Sequence, residues 1–171
     1  MAKEGETPVP DQTRGAEALR EDLPKVLQRR TLEEAGWCQP DLLTLLIPLF
    51  AQRDGQTTDF FLLRLYFNCY PIWPPSAQFI NPQTLKYVVS VDKKWLPKIE
   101  GSPEIAVHDN YSNQGIQLIC SSVTLEFYQV GHSVKPEHIW DEKHQNFSAT
   151  LAAIRHGLTQ SFYKGPQEAR S

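Results

Sequence analysis

Long apolar runs are missing from this 171-residue chain. Its most apolar window, Leu42 to Ala51, is interrupted by Pro48 and is too short to span a bilayer. Cysteine is scarce as well. Cys38, Cys69 and Cys120 are odd in number and widely spaced, which excludes a disulfide framework and fits free thiols in a reducing cytosol, so a cytoplasmic location is expected. Charge of one sign is not in excess: the net charge is −3, and no basic stripe of the kind a dedicated nucleic-acid binder needs is present. No cationic start followed by an apolar run stands at Met1-Ala-Lys-Glu-Gly-Glu, so no secretory signal and no membrane partner are expected. No internal repeat is apparent.

What is present is an ordinary globular composition, 40% hydrophobic and 22% charged, in a length that fits one well-filled core. Residues 1–15 have almost nothing to bury and read as a disordered tail, residues 16–165 as a single domain, and residues 166–171 as a polar C-terminal tail. From Ala16 to Trp37, Leu19, Leu23, Val26 and Leu27 recur at helical spacing, with Pro24 expected to kink or restart the helix. Residues 42–52 and 57–68 read as two strands joined by Arg53-Asp54-Gly55-Gln56, a hairpin signal because Asp-Gly tolerates positive φ. Both faces of the second strand are apolar, which predicts a central strand at least partly covered on each side. Ser76 to Ile80 reads as a third strand and Tyr87 to Val91 as a fourth, and residues 92–118 give no clear periodicity. Phe147, Leu151, Ile154, Leu158 and Phe162 form one apolar stripe, so a helix over Phe147 to Tyr163 is expected, with Asn146 as N-cap and Gly165-Pro166 as its stop. The class is α+β: an N-terminal helix, an antiparallel meander of about four strands, and a C-terminal helix.

Between the second and third strands stands Tyr70-Pro71-Ile72-Trp73-Pro74-Pro75. Proline fixes φ, cannot donate a hydrogen bond and extends the residue before it, so this is a rigid connector that aims the following strand in one direction. Downstream, Gly115-Ile116-Gln117-Leu118-Ile119-Cys120 runs from an apolar stretch into polar Ser121-Ser122, which places Cys120 where a buried strand emerges at a rim.

The connector with Phe79, the turn His108-Asp109-Asn110 and the run up to Cys120 resemble the ubiquitin-conjugating enzyme fold family. The family has a Tyr-Pro-x-x-Pro-Pro connector, a His-Pro-Asn turn and a catalytic cysteine in this order. Asp109 stands where the family has proline, and the run Asn113 to Cys120 is two residues longer than usual. The long stretch Ile80 to Val107, the segment Pro82-Gln83-Thr84, and the aromatic Glu126-Phe127-Tyr128 and His138-Ile139-Trp140-Asp141 look more like the prokaryotic branch. The resemblance covers roughly residues 40–163. It implies that Cys120 accepts a ubiquitin-like modifier from an adenylating activating enzyme as a thioester and passes it to an amine. It further implies that Asn110 stabilises the oxyanion, and that a JAB-type deconjugating peptidase is a partner, often in anti-phage defence.

Cysteine suits that step because its thiolate is partly available at neutral pH and strongly nucleophilic. The alternative is a buried structural cysteine in a non-catalytic binding domain of the same fold. Cys38 and Cys69 read as packing residues. The attacking amine must lose a proton, and His108, Glu126, His132, His138 and Asp141 are the candidates to take it or to position the amine. Trp140 reads as a packing anchor. Cys120, His132, His138 and His144 lack the short paired spacings of structural zinc sites, so neither metal nor cofactor is expected. Cys120 with His132 or His138 also permits a cysteine hydrolase.

Overall fold

The computed structural model describes residues 6–132 and 135–170. Helix α1 (Gln12–Leu27) is capped by Asp11, whose side chain accepts from the Arg14 N–H, so it begins four residues before Ala16 and takes in the last part of the expected tail. The first five residues of that tail lie outside the described residues. Pro24 neither kinks the helix into two nor restarts it: Arg20, whose carbonyl loses a partner there, is solvent-exposed. The break comes instead at Gln28, in left-handed conformation, and Thr31 with Glu34 forms a capping box that starts the short α2 (Leu32–Ala35). Gly15 sits directly against the end of a strand. A Cβ there would lie 2.0 Å from the Phe67 carbonyl oxygen, so only glycine lets α1 dock this closely.

Four antiparallel strands follow in spatial order β1 (Cys38–Asp41), β2 (Thr44–Arg53), β3 (Thr57–Tyr66) and β4 (Ser76–Ile80). The β2–β3 turn has φ of 52° at Asp54 and 68° at Gly55, the double positive φ that the Asp-Gly pair predicts. Pro48 is tolerated in β2 because β1 has ended before it reaches that position: the β1–β2 register covers Cys38 opposite Leu46 and Asp41 opposite Thr44. The fourth member of the meander is thus β1, at the opposite edge from the expected Tyr87–Val91. That segment forms turns. Asp92 accepts from the Asn81 amide (2.8 Å) and the Val88 N–H (2.7 Å), which closes the loop on itself and denies it a strand partner.

The sheet is covered fully on one face and in part on the other. Leu45, Ile47, Phe61, Leu63, Leu65 and Phe79 are buried beneath α1 and the C-terminal helix; on the other face Phe50 is 67% exposed and meets the Phe60 ring at a tilt of 56°, while Leu62, Arg64 and Tyr66 are half-buried and Ile80 is buried. The cover expected at least in part on each side of β3 is thus found, complete on one face and partial on the other. Helix α3 (Leu125–Gln129) follows the cysteine, and α4 (Ser148–Gly157) closes the core with Phe147, Leu151 and Ile154. Each such side chain contributes about 1.5–3 kcal/mol on burial.

The C-terminal helix is shorter than its apolar stripe. Phe147 holds the N-cap position, with Asn146 just before it accepting from the Ser148 N–H (2.9 Å). After Gly157 the chain turns and Tyr163 enters a strand, β8 (Tyr163–Pro166), paired with β5 (Pro97–Ile99). The Tyr163 hydroxyl donates to buried Asp59 (2.7 Å), which also accepts from Arg53 (2.7 Å). That anchor outweighs helical continuation. Beyond it Arg170 lies between the rings of Phe61 and Trp95 (4.8 and 4.7 Å), so the expected polar tail is packed against the body as far as residue 170. Strands β6 (Ala106–His108) and β7 (Leu118–Cys120) form a last antiparallel pair in the stretch without periodicity. The architecture is α+β. No helix among the described residues is long and apolar enough to cross a membrane.

Candidate active site

Cys120 is the last residue of β7, opposite Ala106 of β6. Two hydrogen bonds fasten this strand to the main sheet although it does not pair with it as a ladder. The buried Gln117 side chain accepts from the Phe79 N–H (2.8 Å) and donates to the Phe79 carbonyl, so a side-chain amide completes the edge of β4. Thr124, fully buried, donates to the carbonyls of Ile119 (2.7 Å) and Ser121 (2.9 Å) and folds the loop just after the cysteine.

The proline connector holds the other side of that loop. Its Tyr70–Pro71 peptide is cis. Leu125 N–H donates to the Pro75 carbonyl (3.1 Å), and buried Trp140 donates from Nε1 to the Pro71 carbonyl (2.8 Å). Tyr128 packs on Trp73, accepts from the Trp140 N–H (3.0 Å) and donates to the Ser122 carbonyl (2.8 Å). Trp140 is thus a packing anchor, and what it anchors is the connector to the cysteine loop. The carbonyls of Pro71 and Pro75 thus find their partners, Trp140 and Leu125, in the segment that follows Cys120.

Cys120 is half-buried and lines a groove of about 750 Å³, walled further by Ser102–Ala106, Ser121–Val123, Phe127, His138 and the small face Ala149, Ala152, Ala153 of α4. Burial pushes the Cys120 thiol above its ordinary value. The nearest titratable partner is His132, whose Nε2 lies 3.9 Å from the sulfur and 3.4 Å from the Tyr111 hydroxyl. The imidazole stacks on Phe127 with ring centroids 4.9 Å apart, and Tyr111 also meets the His108 ring edge-on at 5.7 Å. Cys120, His132, Tyr111 and His108 therefore form one cluster.

The other candidates are placed elsewhere. Asn110 Oδ1 accepts from the Gly115 N–H (2.7 Å) and closes the turn that carries Tyr111; among the described residues no hydrogen bond joins Asn110 to Cys120. Glu126 turns inward to the Ser76 hydroxyl and the Ala77 N–H (3.1 Å), and burial raises its carboxyl above the usual range against the pull of those two donors. Asp141 accepts from His144 (2.8 Å) and the Lys143 N–H (3.0 Å), and the His144 contact holds its carboxyl below the usual range. Exposed His138 lines the groove, and among the described residues no hydrogen bond joins it to the sulfur. Cys69 is buried as expected, whereas Cys38 is exposed on the short strand β1, which forms an edge of the sheet among the described residues. Tyr111 and Gln117 were not singled out in the sequence. The turn-rich segment around Tyr111 hides it, and a glutamine inside an apolar run is the one local sign that Gln117 has a buried polar task.

Among the described residues no group of three or more His, Cys, Asp or Glu side chains is arranged to hold a metal ion. Comparison of the chain with family models, with curated proteins and with solved structures gives no match.

Proposed function

We propose that the protein is a ubiquitin-like-protein conjugating enzyme in which Cys120 carries the modifier as a thioester. The supporting observation is the position of the Cys120 sulfur. Cys120 is half-buried and lines a groove, and the segment after it is hydrogen-bonded to the Tyr70-to-Pro75 connector through Pro75 and Pro71. The element order adds support, with a helix, a four-stranded antiparallel meander, the cysteine segment and a closing helix following one another as the resemblance implies.

In this reading the Cys120 sulfur attacks the thioester carbonyl of a modifier carried on an activating enzyme, and the activating enzyme's thiol leaves. A substrate amine then attacks the new thioester, an amide forms, and Cys120 leaves as the thiol. The oxyanion role of Asn110 rests on the resemblance alone. A prokaryotic conjugation pathway would supply the activating enzyme and a JAB-type peptidase as partners.

The test mixes the purified chain with a ubiquitin-like modifier, an adenylating activating enzyme and ATP. The expected product is an adduct on Cys120 that thiol reductant cleaves, that Cys120→Ala abolishes, and that Cys120→Lys converts to a reductant-stable form. An adduct that survives in Cys120→Ala rules the nucleophile out. The 3.9 Å approach of His132 to Cys120 favours one second reading, a cysteine hydrolase, which would release the C-terminal fusion partner of a modifier without ATP.

A further inference from the structure

We propose that His132 is the proton acceptor of the Cys120 thiol and that Tyr111 positions its imidazole. The inference deepens the conjugating-enzyme reading and rests on it for the identity of the electrophile, though not for the existence of the pair.

The geometry assigns the roles. One nitrogen, His132 Nε2, faces both the Cys120 sulfur (3.9 Å) and the Tyr111 hydroxyl (3.4 Å). A neutral imidazole with its proton on Nδ1 presents a lone pair at Nε2, able to receive the thiol proton; once protonated, the same N–H points between a thiolate and the phenol oxygen. Before transfer the Tyr111 hydroxyl and the Cys120 thiol share that single lone pair; after it the phenol oxygen can accept from the new N–H, which holds the protonated ring in the site. Phe127 limits rotation of the ring out of the site by stacking on the imidazole at an interplanar angle of 23°. Both distances are at the long end for hydrogen bonds, as is common in a catalytic site with no substrate in place.

The proton balance closes in both half-reactions. In the first, the Cys120 S–H proton moves to His132 Nε2 as the sulfur attacks, and His132 returns it to the departing thiolate of the activating enzyme. In the second, the attacking amine gives its proton to Nε2, and His132 passes it to the Cys120 sulfur as that sulfur leaves. Burial of the thiol makes such an acceptor more necessary, because an uncharged environment disfavours the thiolate.

No other group around the pair is placed for the task. On the β6 side His108 meets the Tyr111 ring and not the sulfur, and Glu104 is engaged with His156 (3.1 Å). From α3 the Glu126 carboxyl is turned to Ser76 and Ala77. Lys135, Glu137 and His138 line the groove and are solvent-exposed, as His132 is, but among the described residues the hydrogen-bonding contact to the sulfur is made by His132.

The experiment is alkylation of the full chain by iodoacetamide as a function of pH, with Cys120 followed by peptide mass spectrometry and exposed Cys38 as the internal reference. His132→Gln is expected to slow alkylation of Cys120 at pH 7 by about tenfold, the change in thiolate for one unit of thiol pKa, and to move its pH profile upward. Tyr111→Phe, which keeps the ring and removes the hydroxyl, should slow it about threefold in the same direction, within the range of a lost hydrogen bond. His144→Gln, at a histidine bonded to Asp141 outside the groove, should leave the profile in place, and Cys38 should react alike in every variant. A Cys120 profile in His132→Gln that superimposes on wild type overturns the proposal, as does a loss matched at Cys38. His132→Asn provides a second imidazole-free variant should the glutamine protein fold poorly. Because alkylation needs no modifier, the two readings fail separately. A shifted profile without ATP-dependent adduct leaves the pair and removes the conjugating reading; an adduct formed equally well by His132→Gln, with an unshifted profile, does the reverse.

Discussion

The main sheet and the cysteine-bearing segment are held by different forces. Strands β2 and β3 pair over ten residues each in unbroken register, and their inward side chains are buried apolar groups. The segment from Asn81 to Ser122 has only three-residue strands and owes its shape to side chains that bond to backbone: Gln117 to Phe79, Thr124 to Ile119 and Ser121, Asp92 to Val88, Tyr87 to the Asp109 carbonyl. A regular apolar layer is stiff but indifferent to chemistry. A segment pinned at a few polar points can bring a half-buried thiol and a phenol up to the His132 imidazole, because its backbone is not committed to a long ladder. The difference teaches that this molecule keeps stability and reactivity in separate places, linked by the connector.

Substitutions can break that separation or sharpen it. The largest effect is expected inside the sheet. Phe61→Ala removes a fully buried ring that meets Phe79 and Tyr163 edge-on and supports Arg170, and should cost about 4 kcal/mol in denaturant unfolding. The fraction that remains folded should still alkylate at Cys120 at the wild-type rate. A changed rate would show that the two regions are not independent.

Gln117→Leu is next. It leaves the buried N–H and carbonyl of Phe79 without the partners that now complete the β4 edge, at an expected cost of about 3 kcal/mol. Here Cys120 should also lose selectivity in alkylation, since Gln117 is what fastens its strand to the sheet. Thr124→Val keeps the shape and removes a hydroxyl that donates to two carbonyls, and should cost about 1 kcal/mol with a measurable change in the Cys120 rate.

The smallest effect is a pH-dependent one at Glu126. Its folded carboxyl is raised above the unfolded value, chiefly by burial, so its protonated form favours the native state. That contribution is full below the ordinary carboxylate pKa and is lost as pH rises through the folded value. Glu126→Gln should therefore match or exceed wild type in melting temperature at pH 8, and the gap should close as pH falls through the carboxylate range. A gap that widens on acidification would mean that the two donors outweigh burial and hold the carboxylate charged.

The hairpin at Asp54-Gly55, strand β4 with its exact bounds and the apolar stripe of α4 were legible because each is a local pattern: a turn dipeptide, a short alternation, a 3.6-residue period. Cys120 was legible as a candidate for a similar reason, since an apolar run ending in a cysteine before two serines marks a strand leaving the core. His132 stood in a set of five acid–base candidates with nothing local to favour it. The structure brings it and His108 into the Cys120 cluster, leaves Asp141 with His144, and turns Glu126 inward.

What the chain determined by itself was the set of elements that local sterics and periodicity specify: α1 from its apolar spacing, the β2–β3 hairpin, the stiff connector and the core face of α4. Tertiary structure decided what depends on partners distant along the chain. Tyr163 leaves a helical pattern because Asp59 offers its hydroxyl a buried acceptor 104 residues away. Residues Tyr87–Val91 forgo a strand because Asp92 and Asn81 close their loop. Tyr111 meets His132 across 21 residues only after Gln117 and Thr124 have fixed the strand between them. A hydrogen bond between remote side chains leaves no period in a sequence, because its energy depends on where the fold places both ends.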